Sequence, residues 1–437
     1  MSYLVKDGNL ADKYFKASGA GTLADPHMAQ HQVSFTDGPT VDAFGRLRVG
    51  SPTTLFDSKQ LYDKQPLFWD EAVSGATETS VHSTTEASTV MTVNAASDYV
   101  IRQTKMRFNY QPGKSQEVLC SFTLGTGVAN VVKRVGYFNS STVAPYNTSY
   151  DGIYLEQDGG TQSIVQSKSG TASSIAQASW NIDPMDGTGP SGVTIDWSKS
   201  QILFIDFEWL GVGRVRVGFV VDGNIYYAHE FLNANGITSV YMTSPNHSVR
   251  YEIRSTGGVG SLRHICSSVA SEAGSEALGR VQSVNTAGTH LDASTENTTY
   301  ALIGIRLKST HFDSVLRILD EAVQIQTTSH QAIWSLYYNP TVAGTFTYSP
   351  ITNSSVEVAT GVTANTVSGG TLLASGFVES AGSKDGGAGS FVGSIDNALR
   401  LGASIDGTPD EFVLAVTPIA GSSNVEVEGS LTWRELV

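Results

Sequence analysis

The stretch from Phe207 to Phe231, FEWLGVGRVRVGFVVDGNIYYAHEF, decides the fold. Its glycines Gly211, Gly213 and Gly218 match neither the G-x-G-x-x-G pattern of a dinucleotide-binding loop nor a phosphate loop, which ends in Lys and Ser or Thr. The residues that follow are strand formers without helical periodicity. The stretch therefore predicts three antiparallel strands joined by tight turns at 211–213 and 222–224, and it does not predict a nucleotide site.

These turns also predict which residues lie opposite each other. The first hairpin places Phe207 opposite Val217 and Glu208 opposite Arg216, and the second places Glu230 opposite Arg216. One face of the sheet is then apolar, and Arg216 lies between two carboxylates on the solvent face. A register shifted by one residue would turn Arg216 toward the core, so we expect only this register.

The same alternation of short strands and turns extends through most of the 437 residues. We expect an all-β chain with two antiparallel β-sandwich or jelly-roll-like domains, at 72–267 and 299–437, joined by a linker at 268–298. Residues 1–71 keep no period and predict an extended N-terminal arm. The segments 156–180 and 183–192 are rich in Gly and polar residues and predict exposed loops, whereas 309–328 predicts a strand after a short helical turn.

Composition and charge exclude several functions. The formal net charge of −14 and the absence of basic runs argue against a nucleic-acid partner. No apolar run is long enough to span a membrane, and the N-terminus has no export signal. Cys120 and Cys266 match no metal spacing; they are either two buried thiols or one disulfide.

The search for catalytic motifs predicts no enzyme, no cofactor and no metal. His27 and His31 have helical metal-ligand spacing but lack a third strong ligand, and His229 is expected to pack in the core. Carboxylates cluster in sequence, as in a glycosidase, but Asp is common in Gly-rich turns because it bonds to its own backbone. The carboxylates concerned are Asp151, Glu156, Asp158, Asp183 and Asp186.

A binding function remains open. Aromatic faces and short polar groups suit sugar recognition. The hypothesis of a lectin-like function therefore places glycan contacts at Tyr146, Asn147, Tyr150 and Tyr154. The same residues are also ordinary strand and turn formers. A second hypothesis is that the chain is a subunit of a larger assembly, and it starts from the arm. The large apolar residues of the arm need a partner surface, either the rest of this chain or a neighbouring subunit.

Two stretches resemble known proteins. VDAFGRLRVGSPTTLFDSKQLYDKQPLFWDE (41–71) and NPTVAGTFTYSPITNSSVEVATGVTANTVSGGTLLASGF (339–377) resemble segments of virion structural proteins of environmental tailed double-stranded DNA bacteriophages. The resemblance implies a capsid decoration or cement protein, a head fibre or a tail-associated protein, assembled in the host cytoplasm. It implies no catalytic residues.

We therefore expect a structural virion protein that forms homo-oligomers and contacts other virion proteins, capsid or tail subunits, through its arm. The alternative is a lectin-like tail protein that binds a host-surface glycan. Arg46 and Arg48 are expected to pair with acidic neighbours. The expected assembly contacts are Phe44, Arg46, Leu47, Arg48, Leu55, Phe56, Phe68 and Trp69.

Overall fold

The computed structural model confirms an all-β chain. It describes residues 2–6, 12–18, 28–29, 41–45, 47–48, 52–75, 78–286, 288–380, 400–419 and 421–436, and for the first three ranges only the strand backbone. Within these ranges the only helical segment is the 3-10 turn Gln177–Ser179. All strand pairings are antiparallel; two large sheets form a first β-sandwich, and two further sheets form a second unit.

The strands are numbered in chain order. An N-terminal sheet contains β1 (Ser2–Lys6), β2 (Asp12–Ser18) and β3 (Met28–Ala29). The first sandwich contains β4 (Thr53–Lys59), β5 (Trp69–Ser74), β6 (Thr79–Ser83), β7 (Ser88–Val93), β8 (Tyr99–Thr104), β9 (Gln116–Thr123), β10 (Val131–Asn139), β11 (Asp151–Asp158), β12 (Thr161–Lys168), β13 (Thr171–Ala176), β14 (Ser200–Phe207), β15 (Val215–Val221), β16 (Asn224–Phe231), β17 (Val249–Ser255) and β18 (Gly260–Ser271). The second unit contains β19 (Arg280–Asn285), β20 (Leu291–Ala293), β21 (Tyr300–Leu307), β22 (Val315–Ile325), β23 (Gln331–Tyr338), β24 (Thr341–Val342), β25 (Ser349–Pro350), β26 (Val356–Thr360), β27 (Val367–Ser368), β28 (Thr371–Glu379), β29 (Glu411–Pro418) and β30 (Val425–Leu436).

The first sandwich packs a seven-stranded sheet, in the order β13-β12-β11-β10-β17-β8-β5, against an eight-stranded sheet. The second sheet runs β16-β15-β14-β9-β18-β7-β6, with β4 beside β18. Alternating side chains from both sheets fill the core between them, as Tyr251 illustrates: it extends from β17 and its hydroxyl donates to the Cys266 carbonyl across the core at 3.0 Å. The alternation of apolar and polar residues along the strands thus gives each of the two sheets an apolar inner face.

The predicted arm and linker boundaries differ from the structure. β4 and the first half of β5 lie within residues 1–71, yet both are strands of the first sandwich. The predicted linker 268–298 includes the end of β18 as well as β19 and β20, which pair with β30. The predicted loop 156–180 contains β12 and β13, where polar side chains such as Gln166 are buried. In each case the polar composition of the segment suggested a loop. The segment forms strands nevertheless, because its backbone groups pair with neighbouring strands.

Other local predictions are confirmed. Residues 183–192 contain no strand, and the ambiguous segment 309–328 holds β22. His229 is buried and packs edge-on against Phe231, with ring centroids 4.6 Å apart. Cys120 and Cys266 are both free thiols, which resolves the alternative between thiols and a disulfide.

The predicted meander at 207–231 exists, but its first register is wrong. β14 pairs with β15 so that Phe207 lies opposite Val215 and Asp206 opposite Arg216. The turn is therefore centred on Gly211 rather than Val212, and the Glu208 amide extends the same register by donating to the Arg214 carbonyl at 3.0 Å. In the second hairpin Arg216 lies opposite Glu230, as predicted.

The predicted solvent exposure of Arg216 is also wrong. Only 1% of its side chain is exposed, and it pairs with Asp206, which is fully buried. A short segment that we call the strap, residues 41–45 and 47–48, covers this part of the outer face of the eight-stranded sheet. The carbonyl of Val41 accepts a hydrogen bond from Arg216 at 2.9 Å, and that of Ala43 accepts one from Arg214 at 3.0 Å.

In the second unit, a sheet of β19, β30, β20 and β22 packs against a six-stranded sheet with the order β25-β26-β21-β29-β23-β28. It contacts the first sandwich through the segment before β29. The Ile405 amide donates to the Asp70 carboxylate at 2.7 Å, and the Ala403 amide donates to the Lys105 carbonyl at 3.1 Å. The two units therefore share a hydrogen-bonded boundary.

Candidate functional site

The predicted glycan residues lie on or beside the outer face of the seven-stranded sheet, around a buried carboxylate. Glu252 on β17 has no exposed side-chain surface and forms ion pairs with Arg134, Arg250 and Arg254. Burial alone would raise the pKa of Glu252, but the three guanidinium groups hold it below its ordinary value. The charged groups in this part of the face pair with one another, so they form an ion-pair cluster rather than an open binding site.

The aromatic residues on this face are largely occupied by internal contacts. The Tyr150 hydroxyl donates to Glu252 at 2.6 Å. Tyr154 is 3% exposed and packs against Phe138. Tyr146 packs on Tyr99. The structure thus brings three of the four predicted glycan residues to one region, but their rings and hydroxyls contact the protein. Asn147 is exposed in the adjoining loop.

The predicted assembly residues fall into two groups. Leu55, Phe56 and Trp69 are buried in the core of their own sandwich, with Phe68 packed against it, so they do not present a surface to a neighbouring subunit. The reason is that β4 and β5 are integral strands.

The second group belongs to the strap. Phe44 is half-buried, Leu47 is 38% exposed and Arg48 is partly buried. Arg48 does pair with acidic groups, as expected, but they are Asp206 and Glu272 of the same chain. Arg46 lies outside the described residues.

An open cleft lies in the second unit. Its volume is about 410 Å³, and its lining includes Arg306, Phe346, Tyr348 and Glu411. Arg306 extends from β21 and the two aromatic residues from the chain leading into β25. Phe346 and Tyr348 meet edge to face with ring centroids 5.5 Å apart. Two aromatic side chains thus form one wall of a polar cleft.

Cross-strand pairing positions the charges of this cleft. Arg306 lies opposite Glu357 of β26 on one side and opposite Glu411 of β29 on the other. Its Nε donates to Glu357 Oε1 at 2.5 Å, and its guanidinium carbon lies 4.0 Å from the Tyr348 ring centroid. The Tyr348 hydroxyl donates to Glu411 Oε2 at 2.6 Å. Burial and the Glu411 carboxylate raise the pKa of Tyr348, so the phenol stays protonated as a donor.

Gly304 makes room for this arrangement. A Cβ at that position would lie 2.5 Å from both the Phe346 ring and the Tyr348 hydroxyl oxygen. Gly304 and Arg306 are two residues apart on β21, so they face the same side of the sheet. The absence of a side chain at 304 allows the aromatic residues to lie against the strand beside the guanidinium.

Sequence analysis did not identify this cleft. The available signal was the alternation in GTFTYSP, which places Phe346 and Tyr348 on one side of an extended segment. The pairing of Arg306 with two carboxylates joins residues 51 and 105 positions apart, and no local pattern could specify it. Only the sheet order brings these residues together.

The carboxylates considered for catalysis have structural roles. Asp183 and Asp186 each accept a hydrogen bond from the amide two residues ahead, at 2.7 and 2.9 Å, which confirms their interpretation as turn residues. Asp151 and Glu156 lie in β11 instead, where they bind Thr243 and Arg134. Asp158 is exposed at the end of that strand.

The described ranges contain neither a metal-binding cluster nor a membrane-spanning helix. They hold no group of three or more His, Cys, Asp or Glu side chains arranged to bind a metal ion. His27 and His31 lie outside these ranges. No helix in the described part of the chain is long and apolar enough to cross a membrane.

Comparison with known proteins gives structural likeness alone. No family model and no curated protein matches the chain. The Emp47p carbohydrate recognition domain is similar at 11% identity and a TM-score of 0.33, over 51% of this chain and 99% of that one. Bacillus licheniformis β-glucanase is similar at 10% identity and a TM-score of 0.32, over 51% and 98% of the two chains.

A legume lectin-like domain from Entamoeba histolytica is similar at 11% identity and a TM-score of 0.31, over 50% of this chain and 98% of that one. At such identities the likeness concerns the β-sandwich fold, and it assigns neither a ligand nor a reaction to this chain.

Proposed function

We propose that this chain is a non-catalytic carbohydrate-binding protein whose ligand occupies the cleft formed by Arg306, Phe346, Tyr348 and Glu411. The observation that carries this proposal is the combination of an open cleft, an aromatic wall and a pre-paired guanidinium and carboxylate. Sugars present both C–H faces, which pack on aromatic rings, and hydroxyls, which need donors and acceptors together. The cleft offers both kinds of contact.

The geometry favours binding because the polar groups are held before a ligand arrives. Arg306 is fixed by Glu357 and Tyr348, and Glu411 is fixed by the Tyr348 hydroxyl. Side chains that are already ordered lose little conformational entropy on binding. A weak ligand such as a monosaccharide gains most from this preorganisation.

A glycan array followed by titration calorimetry tests the proposal. Saturable binding should appear for the intact chain and should weaken about two- to tenfold in Phe346→Ala, since one aromatic contact contributes roughly 0.5–1.5 kcal/mol. Phe377→Ala is the matched control, because Phe377 is 81% exposed on β28 and does not line this cleft. Absence of binding to any glycan, or equal losses in both variants, would reject the cleft as a sugar site.

The absence of catalysis is tested with the glycans that bind. Prolonged incubation should return each oligosaccharide intact by chromatography. Release of shorter products by the purified chain, abolished by Glu411→Gln, would instead identify a glycoside-cleaving enzyme.

We also propose that the chain acts as a structural component of a tailed-phage particle, assembled in the host cytoplasm. The sequence resemblance at 41–71 and 339–377 supports this proposal. One structural observation favours it: within the described ranges, strands β1–β3 pair only with one another, and along the chain the docked strap follows them and precedes the sandwich strands. A separately paired sheet beyond a docked segment suits contact with capsid or tail subunits and with further copies of the chain.

Purified particles provide the test. The chain should be present at a fixed copy number by quantitative mass spectrometry, and a version lacking residues 1–40 should fold but fail to join particles. A chain absent from particles, or a truncated chain that still joins them, would reject this role.

A further inference from the structure

We infer that the cleft of the second unit selects uncharged saccharides and recognises a pair of neighbouring hydroxyls through Arg306 and Glu411. This inference rests on the proposed carbohydrate-binding function and specifies its ligand class. Its basis is the balance of charge around Arg306 and the hydrogen-bonding groups that remain available there.

The first step concerns charge. Arg306 is flanked by Glu357 and Glu411 on the neighbouring strands; Glu411 lines the cleft together with Arg306, and Glu357 binds Arg306 from beside the cleft. Lys308, one residue beyond the end of β21, does not line the cleft and is held by the carbonyls of Ile351 and Ser354, at 2.8 and 2.6 Å. The ionised groups that line the cleft are therefore one cation and one carboxylate, and the cation is already paired with Glu357. A ligand carboxylate would meet repulsion as well as a guanidinium that is already neutralised.

The second step concerns hydrogen bonds. Nε of Arg306 is bound to Glu357, and Oε2 of Glu411 is bound to the Tyr348 hydroxyl. No other hydrogen bond in the described part of the chain involves the terminal nitrogens of Arg306 or Oε1 of Glu411. The Arg306 side chain is 32% exposed. Guanidinium donors and a carboxylate acceptor side by side match two adjacent hydroxyls, one accepting and one donating.

The third step concerns the apolar wall. Phe346 and Tyr348 are half-buried, and both rings border the cleft. A pyranose held by two hydroxyls at Arg306 and Glu411 can place its C–H face on this wall, because the guanidinium itself lies over the Tyr348 ring. The arrangement favours a neutral ring sugar over a flexible polyol, which has no such face.

Calorimetry with the intact chain tests the inference. The probes are the methyl glycosides of glucose, galactose and mannose, each compared with the uronate of the same configuration. The best neutral glycoside should bind at least about tenfold more tightly than its uronate, with little dependence on salt. Equal or tighter binding of the uronate would overturn the inference while leaving carbohydrate binding in place. If neither class binds on the array or in solution, the proposed function itself fails.

A variant identifies the group responsible. Glu411→Gln removes one negative charge and keeps the shape, so the preference for the neutral sugar over its uronate should narrow at least about threefold. Glu379→Gln is the control, because this residue lines a separate pocket on β28. An unchanged preference in Glu411→Gln, with an unchanged melting temperature, would also overturn the assignment of Glu411.

Discussion

Asp206 and Arg216 lie directly opposite each other on β14 and β15 and form an ion pair in which neither side chain is more than 1% exposed. The pair lies on the outer face of its sheet, not in the sandwich core. Asp206 also accepts hydrogen bonds from Ser115 at 2.9 Å, Tyr227 at 2.8 Å and Arg48 at 2.6 Å. The strap covers these groups, so this part of the outer face of the sheet is buried.

Removing one member of this pair should be strongly destabilising. Asp206→Asn leaves the buried Arg216 without its carboxylate, and we expect the free energy of unfolding to fall by about 3–5 kcal/mol. Urea denaturation measures the change. Asp222→Asn, in the exposed turn between β15 and β16, should change it by less than about 0.5 kcal/mol. Similar effects in the two variants would contradict the buried pair.

The strap should detach when Arg48 is replaced. Arg48→Ala removes the ion pairs with Asp206 and Glu272, so we expect thermolysin to cleave near Leu47 at least about tenfold faster under native conditions. Mass spectrometry of the released fragment gives the rate. Lys59→Ala is the control, because Lys59 and its partner Asp57 are both 63% exposed. Unchanged cleavage would mean that Arg48 does not hold the strap.

Stability should depend on pH through Glu117 on β9. Burial, aided by the Glu272 carboxylate, raises the pKa of Glu117 from 4.5 to about 7. The folded protein therefore holds this proton more tightly than the unfolded chain, so the free energy of unfolding should decrease as pH rises from about 4.5 to about 7.

Glu117→Gln tests this dependence. The variant should lose this part of the pH profile and be more stable than the wild type at pH 8, by up to about 3 kcal/mol. Urea unfolding at several pH values measures the difference, with the exposed residue Glu276 changed to Gln as control. Parallel profiles for wild type and Glu117→Gln would contradict the raised pKa.

The cleft should close when Gly304 gains a side chain. Gly304→Ala places a methyl group 2.5 Å from the Phe346 ring and the Tyr348 hydroxyl, so both must move. We expect a loss of about 1–3 kcal/mol in unfolding free energy and at least about tenfold weaker glycan binding. Gly160→Ala, where no atom lies within 4 Å of the added carbon, should affect neither. Retained binding in Gly304→Ala would contradict the assigned ring positions.

The sequence predicted local structure well where side chains alternate on one strand. The meander around Val217 and Phe219, the strand at 315–325 and the turn carboxylates Asp183 and Asp186 all follow from period-two patterning and turn chemistry. The sequence did not predict β12 and β13, because their polar residues indicated a loop. The first hairpin register was predicted wrongly, because the hairpin is centred on Gly211 rather than Val212, so that Phe207 lies opposite Val215 and not Val217.

What the sequence determined by itself is an acidic, all-β chain with alternating strands, since strand periodicity and turn residues act over only a few positions. What the tertiary structure alone decided is which faces are interior. Arg216 is buried because the strap covers it, with Val41 bound to Arg216 across 175 positions, and Arg306 joins Glu357 and Glu411 because β21 lies between β26 and β29. Such neighbours depend on sheet order and on long-range contacts, which leave no periodic trace in the sequence.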